Sequence, residues 1–248
     1  MTESVPAASD VSAIAAPAAF VGTFSNPAET FRRLVAHPTW WLPFLLTILL
    51  TTGLFLLSMP KLDWDKTIRD AMEKRAAKTG QTIPPEIVNR QIEQAKKMTG
   101  VYLGFALGFT VLAFFVVGLV LWGAARAMGA DARYAQLLAI WAHASLPNLV
   151  GGILAIPLIA TLPDASATQT TLQGILRSNL GAFLADDAPA ALRSVLGALD
   201  LFSFAVLALL VVGFRKLPGL SKGAATAIPI VLWLVYVIGK TAWMAFFG

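Results

Sequence analysis

Apolar residues gather along this chain into five long blocks, and the polar stretches between them hold nearly all of the charge. Residues 42–58, LPFLLTILLTTGLFLLS, carry no charge, and Trp40 and Trp41 stand before them where interfacial tryptophans belong. Residues 101–125, 134–158, 195–214 and 224–247 are comparably apolar. At about 1.5 Å per residue, a helical block of about 20 residues crosses a hydrocarbon core about 30 Å thick and satisfies its own backbone there. The pattern therefore predicts an all-α fold, a polytopic membrane helix bundle with five transmembrane helices at about 41–58, 101–125, 135–160, 195–214 and 224–247.

Between the blocks the periodicity changes. Residues 1–24 are rich in Ala, Ser, Pro and Val, and residues 1–22 contain no Lys or Arg. They read as a disordered tail rather than a cleaved leader, which opens on basic residues, and the five-span domain then occupies 25–248. Asn26, Pro27 and Glu29 supply a capping oxygen, a residue suited to the first helical position and a carboxylate favoured by the helix dipole. A short helix is expected from Pro27 to about His37, with Phe31, Leu34 and Val35 on one side and Arg32 and Arg33 elsewhere. That pattern suits a helix lying among headgroups and equally an ordinary lead-in helix. In the charged loop 60–99, Trp64, Ile68 and Met72 recur every four residues, as do Val88 and Ile92 with Ala95 three further on. Two amphipathic helices are expected, broken near Gly80 and Pro84, with mixed charges forming a solvated face rather than a docking site. The segment 161–194 is low in charge, and Pro189 after Asp186 and Asp187 marks a helix start, which makes the segment a candidate to fold on the membrane surface.

Composition adds limits. The chain has 248 residues, 57% hydrophobic and 13% charged, against roughly a quarter charged in a soluble domain. Its net charge of +5 is scattered over membrane flanks, which argues against nucleic acid as a partner. The absence of cysteine excludes disulfides, thiolate metal sites and thiol nucleophiles. Five spans put the termini on opposite sides. The amino-terminal side holds Arg32, Arg33, Arg126, Arg133, Arg215, Lys216 and Lys222, while the other holds nine cations in the first long loop plus Arg177 and Arg193. The raw count favours the amino terminus outside. The seven lie mostly in short turns with few acids, whereas the long loop's cations are diluted by acids, so the expectation is a cytoplasmic amino terminus in a bacterial inner membrane.

Two ionisable residues fall inside predicted spans, Asp200 near the start of the fourth and Lys240 near the end of the fifth. The spans run in opposite directions, so both residues come out near one membrane face, at depths of about 8 and 10 Å. A charge alone in hydrocarbon costs several kcal/mol, so pairing or shared hydration is one expectation, and snorkelling of Lys240 is another. Helical spacing aligns Trp141, Ser145, Asn148 and Gly152 on the third span, Gly197, Asp200 and Ser203 on the fourth, and Trp233, Tyr236, Lys240 and Trp243 on the fifth. These stripes define a candidate polar seam whose binding residues are Ser145, Asn148, Asp200, Ser203, Tyr236 and Lys240. Interhelical hydrogen bonding is the plainer account of each one. Gly104, Gly108, Gly152 and Gly197 are candidate helix-packing positions. His143 lies off the third stripe, too far from His37 to suggest a metal, and Pro147 should kink the helix and free the His143 carbonyl. No Walker loop, zincin motif, nucleophile elbow or catalytic carboxylate pair is present, so no catalytic residue, cofactor or metal is expected.

The segments NPAETFRRLVAHPTWW, IPPEIVNRQIEQAKK, ARYAQLLAIWAHASLP and LGALDLFSF, followed by a basic turn before the last span, resemble bacterial members of the Yip family of Rab-interacting integral membrane proteins. The resemblance runs from about Phe24 onward. It implies a five-span bundle with a cytoplasmic amino terminus and offers no catalytic residue to carry over. The leading functional expectation is a non-enzymatic membrane protein acting through the lipid bilayer, a protein partner or a homo-oligomer in membrane organisation or trafficking-like processes. The alternative is a small-molecule or ion transporter component that uses the polar seam. An intramembrane enzyme ranks last, because Ser145 and His143 point about 200° apart on their helix.

Overall fold

Why some apolar blocks become single helices and others break is decided by proline and by polar side chains that find a helix end to cap. A computed structural model describes residues 11–80, 83–185 and 188–247. The order of helices is α1 (Ala16–Ser25), α2 (Pro27–Ala36), α3 (Trp41–Ser58), α4 (Trp64–Thr79), α5 (Pro85–Lys97), α6 (Thr99–Ala127), α7 (Tyr134–Ala144), α8 (Leu146–Ala160), α9 (Gln169–Gly174), α10 (Ala190–Ala198), α11 (Leu201–Phe214) and α12 (Lys222–Phe247). Short 3-10 turns lie at Met59–Lys61 and Leu180–Phe183. The described residues contain no named strand, and the fold is the expected all-α membrane bundle.

Among the described residues, four stretches are long and apolar enough to cross a membrane: Trp41–Lys61, Thr99–Ala127, Tyr134–Ala160 and Lys222–Phe246. The expected span at 195–214 is not one of them. The chain leaves helix at Leu199 and Asp200, and Asp200 has extended backbone and caps α11. The 14 residues of α11 are about 21 Å long, short of a hydrocarbon core of about 30 Å. The physical reason is the aspartate: a carboxylate inside an apolar helix has no partner, whereas at a helix start it meets free amides and the positive end of the dipole. The third block is also divided. Helix α7 ends at Ala144 and the Ser145 amide turns back to the carbonyls of Trp141 and His143. Pro147, expected to kink one helix, sits instead in the first turn of α8, where a missing N–H costs nothing.

Two compact units emerge. The first holds residues 11–47, 112–150 and 178–247, and α7 is its centre. Helix α7 buries Leu137, Leu138, Ala139, Ile140, Ala142, His143 and Ala144, so it is enclosed all round, as a helix apolar on every face should be. Phe31 and Leu34 of α2, Phe214 of α11, Ala125 of α6 and Ala225 of α12 join it in one core, each fully buried. Trp40 packs with Phe44, Phe114 and Phe115 at ring separations of 5.6–6.0 Å, so only Trp41 of the expected tryptophan belt is exposed. The turn after α6 and the turn after α11 lie side by side, the Asp131 amide donating to the Pro218 carbonyl at 2.9 Å.

The amino-terminal segment corrects one expectation and decides another. Residues 16–24, expected within a disordered tail, form α1 together with Ser25, and Ala19 and Thr23 are fully buried. Gly22 is what admits the neighbouring helix, since a Cβ there would collide with the Thr30 hydroxyl. The His37 Nε2 lies 2.7 Å from the Val11 carbonyl, which closes α1 and α2 into a helical hairpin. The apolar face of α2 is the expected one, and protein covers it, as in the lead-in reading of this helix and not the headgroup one.

The second unit holds residues 48–111 and 151–177. Helices α4 and α5 form the expected charged hairpin, broken at Gly80, whose φ of 66° is readily adopted by glycine, and at Pro84. Helix α5 buries the expected Val88, Ile92 and Ala95. Lys96 donates to Asp65 at 2.8 Å and Arg69 to Asn89 at 3.0 Å. Residues 60–63 pair with 165–167 through backbone hydrogen bonds, reinforced by the Lys61–Asp164 ion pair at 2.8 Å.

Candidate functional site

The expected polar seam comes apart residue by residue. Asp200 Oδ2 accepts from the Ser203 amide at 3.0 Å and lies 3.4 Å from its hydroxyl, so the structure joins these two members as a helix cap. Ser145 donates its hydroxyl to the Trp141 carbonyl at 2.7 Å, one turn back on its own segment. Asn148 is exposed, as are Tyr236 and Lys240. Among the described residues no ion pair involves Asp200 or Lys240, so the expected pairing is not formed. The second oxygen of Asp200, Oδ1, is buried without a hydrogen-bond partner among the described atoms.

The candidate packing glycines divide likewise. A Cβ on Gly152 would stand 2.6 Å from Leu50 Cδ2 and 3.3 Å from Leu54 Cδ1, so Gly152 admits α3 closely. The Gly197 amide lies where a Cβ on Gly181 would meet it, at 2.9 Å. Among the described residues, nothing lies within 4 Å of a Cβ built on Gly104 or Gly108, and no described helix enters the groove expected there.

His143 is fully buried, with Nδ1 3.0 Å from the Ala139 carbonyl and Nε2 unpartnered. Among the described residues no three histidine, aspartate or glutamate side chains gather as a metal site.

Two features escaped the sequence reading. Gln136 is buried; its Nε2 donates to the Val35 carbonyl and its Oε1 accepts from the Arg133 amide, both at 2.7 Å. It ties the start of α7 to the end of α2, and nothing in the local sequence separates it from an ordinary interfacial glutamine. The other is a groove of about 400 Å³ bordered by Phe24 and Pro27 of the amino-terminal hairpin, Pro147 and Val150 of α8, and a face of α11 running from Leu201 to Leu209. Its single polar residue, Thr23, spends its hydroxyl on the Ala19 carbonyl at 2.8 Å. This surface has no group that could act as acid, base or nucleophile, and apolar matter is what it fits.

The family model described as the Yip1 domain matches residues 21–244. The chain belongs to the Yip1 domain family. Its match takes in the amino-terminal hairpin from Val21 as well as α12, so the elements around the groove fall within the family domain. The chain is 26% identical over 222 residues to a Bacillus subtilis (strain 168) protein described as membrane protein YknW, covering 88% of this chain and 86% of that one. No solved structure matches it.

Proposed function

We propose that this Yip1-domain protein is a non-catalytic membrane component that acts on membrane organisation by holding lipid acyl chains, with its amino terminus cytoplasmic in a bacterial inner membrane. The groove of about 400 Å³ beside α11 carries this reading. Its walls are apolar, and it lies along a helix without a single charged residue whose Leu201 and Phe204 are exposed, so hydrocarbon is the medium that reaches it. Support for the orientation comes from the paired turns. Arg126 ends α6 and Arg133 lies in the turn that follows, Arg215 and Lys216 lie in the turn after α11, the turns are hydrogen-bonded side by side, and Gln136 ties the end of α2 to the same end of the bundle. These cations stand directly at the ends of the spans, where the positive-inside rule counts them.

Native mass spectrometry of the protein, washed extensively in mild detergent, tests the lipid reading. Wild type should retain phospholipid, and Ala208→Trp, which fills the groove from α11, should lose most of it. A lipid-free wild type, equal retention by Ala208→Trp, or a bound protein displaced by that substitution in place of lipid would each overturn the proposal.

A further inference from the structure

The stretch from Ser178 through α10 is built inside out for a segment in water. Asn179 and Ser194 turn their polar groups inward. Asn179 caps the 3-10 turn by accepting from the Ala182 amide at 3.1 Å, and Asn179 and Asp200 pair their backbones, with Leu201 N–H donating to Ser178 at 3.1 Å. Ser194 is buried and accepts from Thr241 of α12 at 3.3 Å. The Arg193 guanidinium folds back to the Ala185 carbonyl at 2.6 Å. The large apolar side chains Leu180, Phe183, Leu192 and Val195 point outward, Phe183 being 71% exposed.

We propose that residues 178–185 and 188–199 lie at the membrane without crossing it, seating Leu180, Phe183, Leu192 and Val195 in the hydrocarbon of the leaflet around the carboxyl-terminal end of α12. Three observations converge on a lipid surface as the partner. First, the segment continues a membrane-facing surface. The Ser194–Thr241 bond sets α10 against α12, whose Val235 and Ile238 are exposed on a helix of spanning length. Second, the depth fits. Thr241 is six residues before the end of α12 at Phe247, about 9 Å along the helix, within the roughly 5–10 Å to which interfacial helices bury their apolar face. Third, α11 at about 21 Å is shorter than the hydrocarbon core by about 9 Å, and a segment lying across its capped end fills that shortfall. Lys240, exposed between Tyr236 and Trp243 on successive turns of α12, sits where a lysine stem reaches lipid phosphate. The segment thus completes the bilayer seal that a 14-residue helix leaves unfinished.

The chain has no cysteine, so single substitutions accept a nitroxide label without further change. Phe183→Cys, Leu192→Cys and Val195→Cys would be labelled in liposomes of phosphatidylethanolamine and phosphatidylglycerol. Ile238→Cys serves as the lipid-facing reference and Glu93→Cys as the aqueous one. Accessibility to oxygen relative to a water-soluble nickel chelate should match the Ile238→Cys label and exceed that of Glu93→Cys at least about fivefold, as expected for residues below the headgroups. Values equal to those of Glu93→Cys would overturn the proposal. Wild-type protein gives an independent reading: a photoactivatable phospholipid with a diazirine in its acyl chain should crosslink peptides from 178–199 as well as those around 235–238. Labelling confined to the latter would sink the idea.

Discussion

Gly213 and Gly108 are both glycines inside apolar helices, and the structure assigns opposite outcomes to the same substitution at each. An ideal Cβ on Gly213 stands 2.6 Å from Ile140 Cγ2 and 3.2 Å from Phe31 Cδ1, both belonging to fully buried side chains at the centre of the first unit. The first distance is roughly 1.4 Å short of carbon–carbon contact at about 4 Å. Gly213→Ala must therefore displace two core residues, at about 1–3 kcal/mol for overpacking. At Gly108 nothing lies within 4 Å, so Gly108→Ala meets no obstacle. Both substitutions gain the same helical preference of alanine over glycine, about 1 kcal/mol, which cancels when the variants are compared with each other. Their difference isolates the close approach: Gly213→Ala should unfold below Gly108→Ala by about 2–12 °C, using about 2–4 °C per kcal/mol for a chain of this size. Thermal unfolding followed by circular dichroism in one detergent at one protein concentration measures it. Equal midpoints, or a Gly108→Ala variant less stable than Gly213→Ala, would refute the placement of α11 against α2 and α7.

Three further outcomes follow from named contacts. Gln136→Leu strands the Val35 carbonyl and the Arg133 amide, and should cost about 1–3 kcal/mol in the same unfolding assay. Asp200→Asn should leave stability nearly unchanged because asparagine caps as well as aspartate, whereas Asp200→Ala should cost about 1 kcal/mol; a large loss on Asp200→Asn would mean that the charge itself matters. Hydrogen bonds from Arg32 and Arg33 hold the Glu29 carboxyl down to about 2 from an ordinary 4.5. Its stabilisation is complete above the ordinary value and fades as pH falls toward 2, so the deficit of Glu29→Gln against wild type should be constant between about pH 7 and 5 and shrink below about 4.5.

Much of this architecture was legible because helix length and hydrophobic periodicity are local properties. Helices of spanning length over 41–58, 101–125 and 224–247, the charged hairpin with its breaks at Gly80 and Pro84, and the buried stripe of Val88, Ile92 and Ala95 all appear where periodicity places them. The Asn26 cap was equally local, its oxygen accepting from the Glu29 amide at 3.3 Å. Other features depend on partners far away in the chain. Whether Asp200 is a buried charge or a cap turns on residues 178–180 pairing with it. Whether Ala16–Ser25 orders turns on α2 and α7 offering a surface tight enough to need Gly22. The groove has no sequence signature because its walls come from three separated segments.

The sequence by itself determined that this is a helical membrane protein, where most of its helices start and stop, and which faces are apolar. An apolar face has several ways to be buried, in lipid, in headgroups or in protein, with similar gain in free energy, and periodicity cannot choose among them. Only the tertiary structure decided that α2 faces protein, that α7 is enclosed while α3 and α6 stay open, and that the fourth apolar block breaks at Asp200. The physical reason is that a polar group in an apolar block must find a partner, and the partner's position along the chain is unconstrained.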